Sequence, residues 1–205
     1  MFISFEGGEG TGKTTLANAL FKKMIQKHAV ILTKEPGGCE TNLPIRKLLF
    51  SSDNKIDVHT EALLYAADRT EHLEKVILPA LKKGQIVICD RYLDSSLAYQ
   101  GYARELGEDF VKKINVIALK TMPDITFYLD LDPQIGLQRI KDKREDKREY
   151  FDLQTLSFHQ KVREGFLNLH QQFPQRIFKI DANQPLEEIQ SIIEKEIQRL
   201  FKIKL

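Results

Sequence analysis

The 205-residue chain predicts an α/β architecture, with helices on both faces of a five-stranded parallel sheet. Short β-prone runs recur along it, apolar residues at three-and-four spacing fill the stretches between them, and the two patterns alternate throughout. Right-handed crossovers then bring every strand's C-terminal end to one edge, where ligands bind. With 42% apolar and 29% charged residues, the chain can bury the core of a single domain spanning residues 1–205. Thirty-one Lys and Arg against 29 Asp and Glu is too even a balance for a protein that wraps nucleic acid. Cys39 and Cys89 have no metal-ligand or redox spacing and read as free thiols in a reducing compartment. No apolar run reaches the roughly 18 residues of a membrane span, and Met1 leads straight into a strand pattern, so a cytoplasmic protein is expected.

The elements follow in order. Phe2 to Glu6 is a strand that ends in a glycine-rich loop, and the next helix carries Leu16, Leu20 and Met24 on one face. Ala29 to Thr33 is the second strand, closed by the turn Glu35-Pro36-Gly37-Gly38. Leu43 to Phe50 and Glu61 to Leu81 read as helices, the second stopped by Gly84, with Pro79 in its last turn. Gln85 to Cys89 and Ile125 to Leu131 are strands of the kind covered on both faces, and Arg176 to Ile180 is the fifth. Helical patterns fill Ser95 to Tyr102, Asp109 to Thr121, Pro133 to Lys143 and Leu153 to Phe173; the last helix starts at Pro185 and carries Leu186, Ile189, Ile193, Ile197 and Leu200. Lys141 to Glu149 lacks any apolar residue to bury and reads as a mobile, solvated loop.

Gly7-Gly8-Glu9-Gly10-Thr11-Gly12-Lys13-Thr14 satisfies G-x-x-x-x-G-K-[ST] between a strand and a helix, which gives the fold a P-loop NTPase-type reading. Its glycines let successive N–H groups, Thr15 included, converge on phosphate oxygens at a helix N-terminus. Lys13 reaches the β- and γ-phosphates, and the Thr14 hydroxyl can join a Mg²⁺ shell. Along the same sheet edge lie the Glu35-Pro36 turn, Asp90-Arg91-Tyr92, and the helix residues Arg46 and Arg69. One helix arginine is ordinarily solvated, but Arg91 directly follows a buried strand, and its guanidinium suits bidentate phosphate binding. An anionic acceptor is implied.

FEGGEGTGKTT, KEPGG, YAADRTEH and DRYLDSSLAYQG, in that order and spacing, resemble the thymidylate kinase family of the bacterial type, along essentially the whole chain. The resemblance implies transfer of the ATP γ-phosphoryl group to dTMP with Mg²⁺, in a cytoplasmic homodimer whose interface is drawn from helices between Glu61 and Thr121. It further implies that Glu9 contacts the sugar 3′-hydroxyl and that Tyr65 stacks on thymine, where a plain core tyrosine is the alternative. Arg69 is expected at a base carbonyl, Arg46 and Arg91 at the acceptor phosphate, and Ser96 and Gln100 at the base edge. Tyr99 is expected to crowd the sugar C2′. Asp90 falls where a carboxylate holds the metal or its water, the alternative being a cap on the next element. In the family a decisive arginine comes from the P-loop or from a lid; Gly10 stands at the P-loop position, so a lid over about 141–152 is expected to supply it, Arg148 first and Arg144 second. Glu149-Tyr150-Phe151-Asp152 departs from the family's D-R-[IF]-E ending, with Tyr in the arginine's place.

Because a phosphate monoester is already mostly ionised at neutral pH, such an acceptor needs cations rather than a general base. The five histidines show no triad or metal spacing, and His72 is expected on a helix surface or in packing. Two other classes compete. A deoxynucleoside kinase needs a carboxylate base beside the 5′-hydroxyl, whereas the acceptor side here is rich in arginine. A nucleotide-binding switch needs a base-recognition motif such as N-K-x-D, which the chain lacks after any strand.

Overall fold

A computed structural model describes residues 1–51, 56–143 and 150–204. Five parallel strands, β1 (Phe2–Gly7), β2 (Val30–Lys34), β3 (Ile86–Asp90), β4 (Ile125–Asp130) and β5 (Ile177–Asp181), form one sheet in the order β2-β3-β1-β4-β5. The order runs outward to both sides of β1, so the loop after β1 lies at the centre of the carboxyl edge. On β1 the side chains alternate. Ile3 and Phe5 join the core that takes Leu16, Leu20 and Met24 of helix α1 (Lys13–Met24) and Ile189, Ile193 and Ile197 of helix α9 (Leu186–Phe201). Phe2 joins the opposite core, with Val87, Tyr92, Tyr128 and the α8 (Leu156–Gln172) residues Val162, Phe166 and Leu169. Ser4 and Glu6 fall on that second face, both fully buried.

Helices α2 (Leu43–Phe50) and α3 (Val58–His72) connect β2 to β3. The latter starts three residues before the expected Glu61, because the Asp57 side chain accepts the His59 N–H at 2.9 Å. The expected continuous helix to Leu81 instead widens into a π-helical turn over Leu73–Ile77 before α4 (Leu78–Lys82). Pro79 has no N–H to donate, and the wider turn accommodates the missing bond. After β3, α5 (Leu93–Ser96) passes into a second π-helical stretch, Leu97–Ala103.

The helix expected over Asp109 to Thr121 is split. α6 (Glu108–Ile114) ends at Asn115, whose amide Nδ2 donates back to Val111 O at 2.9 Å, and a separate 3₁₀ turn covers Ala118–Lys120. α7 (Pro133–Lys143) takes in Lys141 to Lys143, so the first part of the expected charged loop is helix; residues 144–149, with Arg144 and Arg148, lie outside the described residues. Leu153 is not helical in the expected way either: Tyr150–Leu153 is a 3₁₀ turn, and α8 starts at Leu156 behind Thr155, whose Oγ1 accepts the Phe158 N–H at 3.2 Å. Among the described residues no helix is long and apolar enough to cross a membrane.

Candidate active site

The C-terminal ends of β1, β2 and β3 open into one cleft of about 420 Å³. The P-loop from Glu9 to Thr15 forms one wall, and the expected acceptor-side residues Glu35, Pro36, Arg46, Tyr65, Arg69, Arg91, Ser96, Tyr99 and Gln100 line the cleft with Asp90. Gly7 and Gly8 support the loop without lining the cleft. Gly10 takes φ +69°, and a Cβ there would run into the backbone of Gly136 on α7, so the loop and α7 fit together only with glycine at this position. Lys13 is buried and donates from Nζ to Gly8 O at 2.6 Å and to Thr11 Oγ1 at 3.3 Å. Burial, followed by the nearby Arg91 charge, pushes its pKa down to about 8. Thr14 Oγ1 donates to Asp90 Oδ2 at 2.5 Å, which joins the start of α1 to the end of β3. Asp90 does not cap α5; the Tyr92 side of that helix has no side-chain cap.

Arg91 stands between β3 and α5 at φ +72°, a conformation that a residue with a side chain seldom takes. From there its Nη1 donates to Gly7 O at 3.0 Å and Ser95 Oγ at 3.1 Å, and its Nη2 to Glu9 Oε1 at 3.0 Å and Tyr99 Oη at 3.1 Å. Tyr99 Oη in turn donates to Glu9, at 2.7 Å from Oε1. Burial alone would raise the Glu9 carboxyl, but the hydrogen bond from His159 and the charges of Arg91 and Lys13 together hold it at about 2. Glu9, Arg91 and Tyr99 thus form one rigid group beside the P-loop.

A second group comes from α3. Asp68, Arg69 and His72 lie on its inner face, at spacings that a helix stacks together. Asp68 accepts Gly37 N–H at 2.8 Å and so fixes the turn after β2. Arg69, 1% exposed, donates to Glu35 Oε2 at 2.7 Å, Asn115 Oδ1 at 2.8 Å, Ser96 Oγ at 3.0 Å and Tyr92 O at 3.3 Å. The other Glu35 oxygen is 3.0 Å from His72 Nδ1, and His72 Nε2 is 2.6 Å from Thr33 Oγ1. His72 is fully buried, not on a helix surface: its two ring nitrogens bridge β2 and the turn. Arg46 donates to Pro36 O at 2.8 Å and lies over the Phe50 ring. Gln100 donates to Glu61 Oε1 at 2.9 Å, and Tyr65 belongs both to the cleft wall and to the core.

The family model described as thymidylate kinase matches residues 5–193. The chain belongs to the thymidylate kinase family. It is 60% identical over 207 residues to the thymidylate kinase of Onion yellows phytoplasma (strain OY-M), covering 100% of both chains. It is 49% identical to that of Acholeplasma laidlawii (strain PG-8A), covering 94% of this chain and 96% of the relative. The solved thymidylate kinase of Ehrlichia chaffeensis superposes with a TM-score of 0.78 at 33% identity, covering 97% of this chain and 98% of that one. Within this thymidylate kinase fold, seven cleft residues carry no assignment from the sequence: Lys34, Phe50, Ser95, Arg139, Ile140, Phe151 and Asp152. Arg139 is one basic residue among several on α7 and carries no local signal. Phe151 comes from the segment whose departure from the family ending hid its role; its ring stands edge-on to Tyr99 at 5.2 Å.

Proposed function

We propose that this chain, as a member of the thymidylate kinase family, transfers the γ-phosphoryl group of ATP to dTMP, giving dTDP on the route to dTTP. The observation that carries the reading is the shared cleft: a P-loop and an arginine-bearing acceptor wall face each other across about 420 Å³. The triphosphate lies against the P-loop N–H groups, and Lys13 turns from Gly8 O to the β- and γ-oxygens. The acceptor phosphate, mostly dianionic at neutral pH, attacks without a base, and Arg91 and Arg46 offset the repulsion between the two anions. Glu9 and Tyr99 border the sugar, while Tyr65, Arg69, Ser96 and Gln100 border the base. Arg69 enters with its guanidinium already fixed by Glu35, so it can direct a hydrogen bond to a base carbonyl with little loss of freedom.

The oxygen pair of Thr14 and Asp90 suits Mg²⁺, a small hard cation that keeps several waters and leans on phosphate oxygens. Bound there, it would neutralise charge on the β- and γ-phosphates. Arg148 and Arg144, in the segment 141–152, remain the proposed sources of a further cation over the transferring group. We read residues 1–205 as one cytoplasmic kinase domain that pairs with a second copy: Leu63 on α3 and Val116, Ile117 and Leu119 after α6 expose apolar side chains on neighbouring elements. A deoxynucleoside kinase is disfavoured because Glu9, held ionised at about 2, is too weak a base for a sugar hydroxyl, and both Glu35 oxygens are engaged. A coupled ADP-release assay comparing dTMP with thymidine tests the proposal. ADP release with dTMP is expected; release with thymidine alone would reject it.

A further inference from the structure

Under the acceptor wall lies Glu6, a buried carboxyl that the transfer chemistry does not use. Glu6 sits at the end of β1, 0% exposed, on the face opposite α1. Both of its oxygens are taken by the turn that carries Arg91: Tyr92 N–H donates to Oε1 at 2.7 Å and Ser95 Oγ to Oε2 at 2.5 Å. That turn holds Arg91 at φ +72°, which its own side chain disfavours, so something outside it must fix it. The same Ser95 Oγ accepts from Arg91 Nη1 at 3.1 Å. A line of donors therefore runs from guanidinium to hydroxyl to carboxylate.

This arrangement is unfavourable for folding. Burial first, then the neighbouring Asp94 carboxylate, push the Glu6 pKa up to about 8, against the pull of Ser95, Arg91 and Tyr92 N–H. Lys13, Arg69 and Arg176 are the other charges that feel it, and Arg176 is already paired with Asp94 in two hydrogen bonds. The folded chain holds this proton more tightly than the unfolded one, so stability falls as pH rises from the ordinary carboxylate range through about 8. A residue kept at that cost calls for a use beyond packing.

We infer that Glu6 is a positioning residue for phosphoryl transfer: it fixes the left-handed turn after β3 through Tyr92 N–H and aims the Arg91 guanidinium at the acceptor phosphate through Ser95. The inference rests on the proposed role of Arg91 at that phosphate. It is tested with Glu6→Gln, Arg91→Ala and the double variant, measuring kcat and KM for dTMP and ATP together with thermal melts at about pH 9. Glu6→Gln is expected to lower kcat/KM for dTMP by about tenfold or more, to leave the KM for ATP within about twofold, and to melt no lower than the parent. On the Arg91→Ala background the same change is expected to add less than about twofold. A Glu6→Gln chain with parental dTMP kinetics beside a crippled Arg91→Ala overturns the inference. So does an equal loss on both substrates with a lower melt, or a full multiplicative loss in the double variant. Parental dTMP kinetics in Arg91→Ala would instead reject the Arg91 role, and this inference with it. Should Glu6→Gln fail to fold, Ser95→Ala, which cuts the hydroxyl link, decides by the same criteria.

Discussion

Replacing Arg69 by methionine should lower the stability of the fold. The guanidinium is 1% exposed, and its partner carboxylate on Glu35 is likewise buried, so neither charge can turn to water when the other is removed. Breaking such a pair from one side costs about 3–5 kcal/mol, because the remaining charge is left uncompensated. The His72 ring nitrogen 3.0 Å from the other Glu35 oxygen leaves that oxygen with a polar contact, which favours the lower end, about 3 kcal/mol. For a chain of this length each kcal/mol moves the melting temperature by about 2–4 °C, so a fall of about 6–12 °C is expected by calorimetry or circular dichroism. Adding Glu35→Gln removes the stranded charge and should recover at least half of the loss. A single Arg69→Met variant melting within about 2 °C of the parent, or a double variant less stable than the single, would refute the reasoning.

Lys13→Ala should keep the melting temperature and lower kcat by orders of magnitude; normal turnover would contradict the P-loop assignment. Because the Lys13 ammonium has a pKa of about 8, it is charged below that pH and neutral above it. kcat/KM for ATP, which reports the free enzyme, should therefore be flat below about 8 and fall above it, and Lys13→Ala should lose that limb. Tyr99→Phe keeps the ring against Phe151 but removes the hydroxyl that links Glu9 to Arg91, and should reduce kcat/KM for dTMP by about tenfold with ATP use unchanged. Val116→Lys with Ile117→Lys should convert the proposed dimer to a monomer in sedimentation velocity, and an unchanged sedimentation coefficient would move the interface elsewhere.

The parts of the fold legible in the sequence are those that local pattern dictates. Each strand is a short apolar run, and the observed strands differ from the expected ones by a residue at their ends. The P-loop and Arg91 were visible because they stand at strand ends, where chain direction alone delivers them to the sheet edge. What stayed hidden depends on partners far along the chain. Asn115 breaks a helix pattern while its amide serves Arg69, 46 positions away, and nothing near either residue announces the other. Glu6 reads as the polar end of a strand until the turn from β3 closes over it. His72 is expected on a helix surface or in packing, and only the contacts at its two ring nitrogens, to Thr33 on β2 and to Glu35 in the turn, make it a bridge.

Calorimetric titration of dTMP into the chain saturated with a non-hydrolysable ATP analogue and magnesium bears most directly on the whole account. Both nucleotides should occupy each chain at once, with equimolar dTMP and little loss of affinity relative to the analogue-free protein. Competition, in which dTMP expels the analogue or fails to bind beside it, would contradict it.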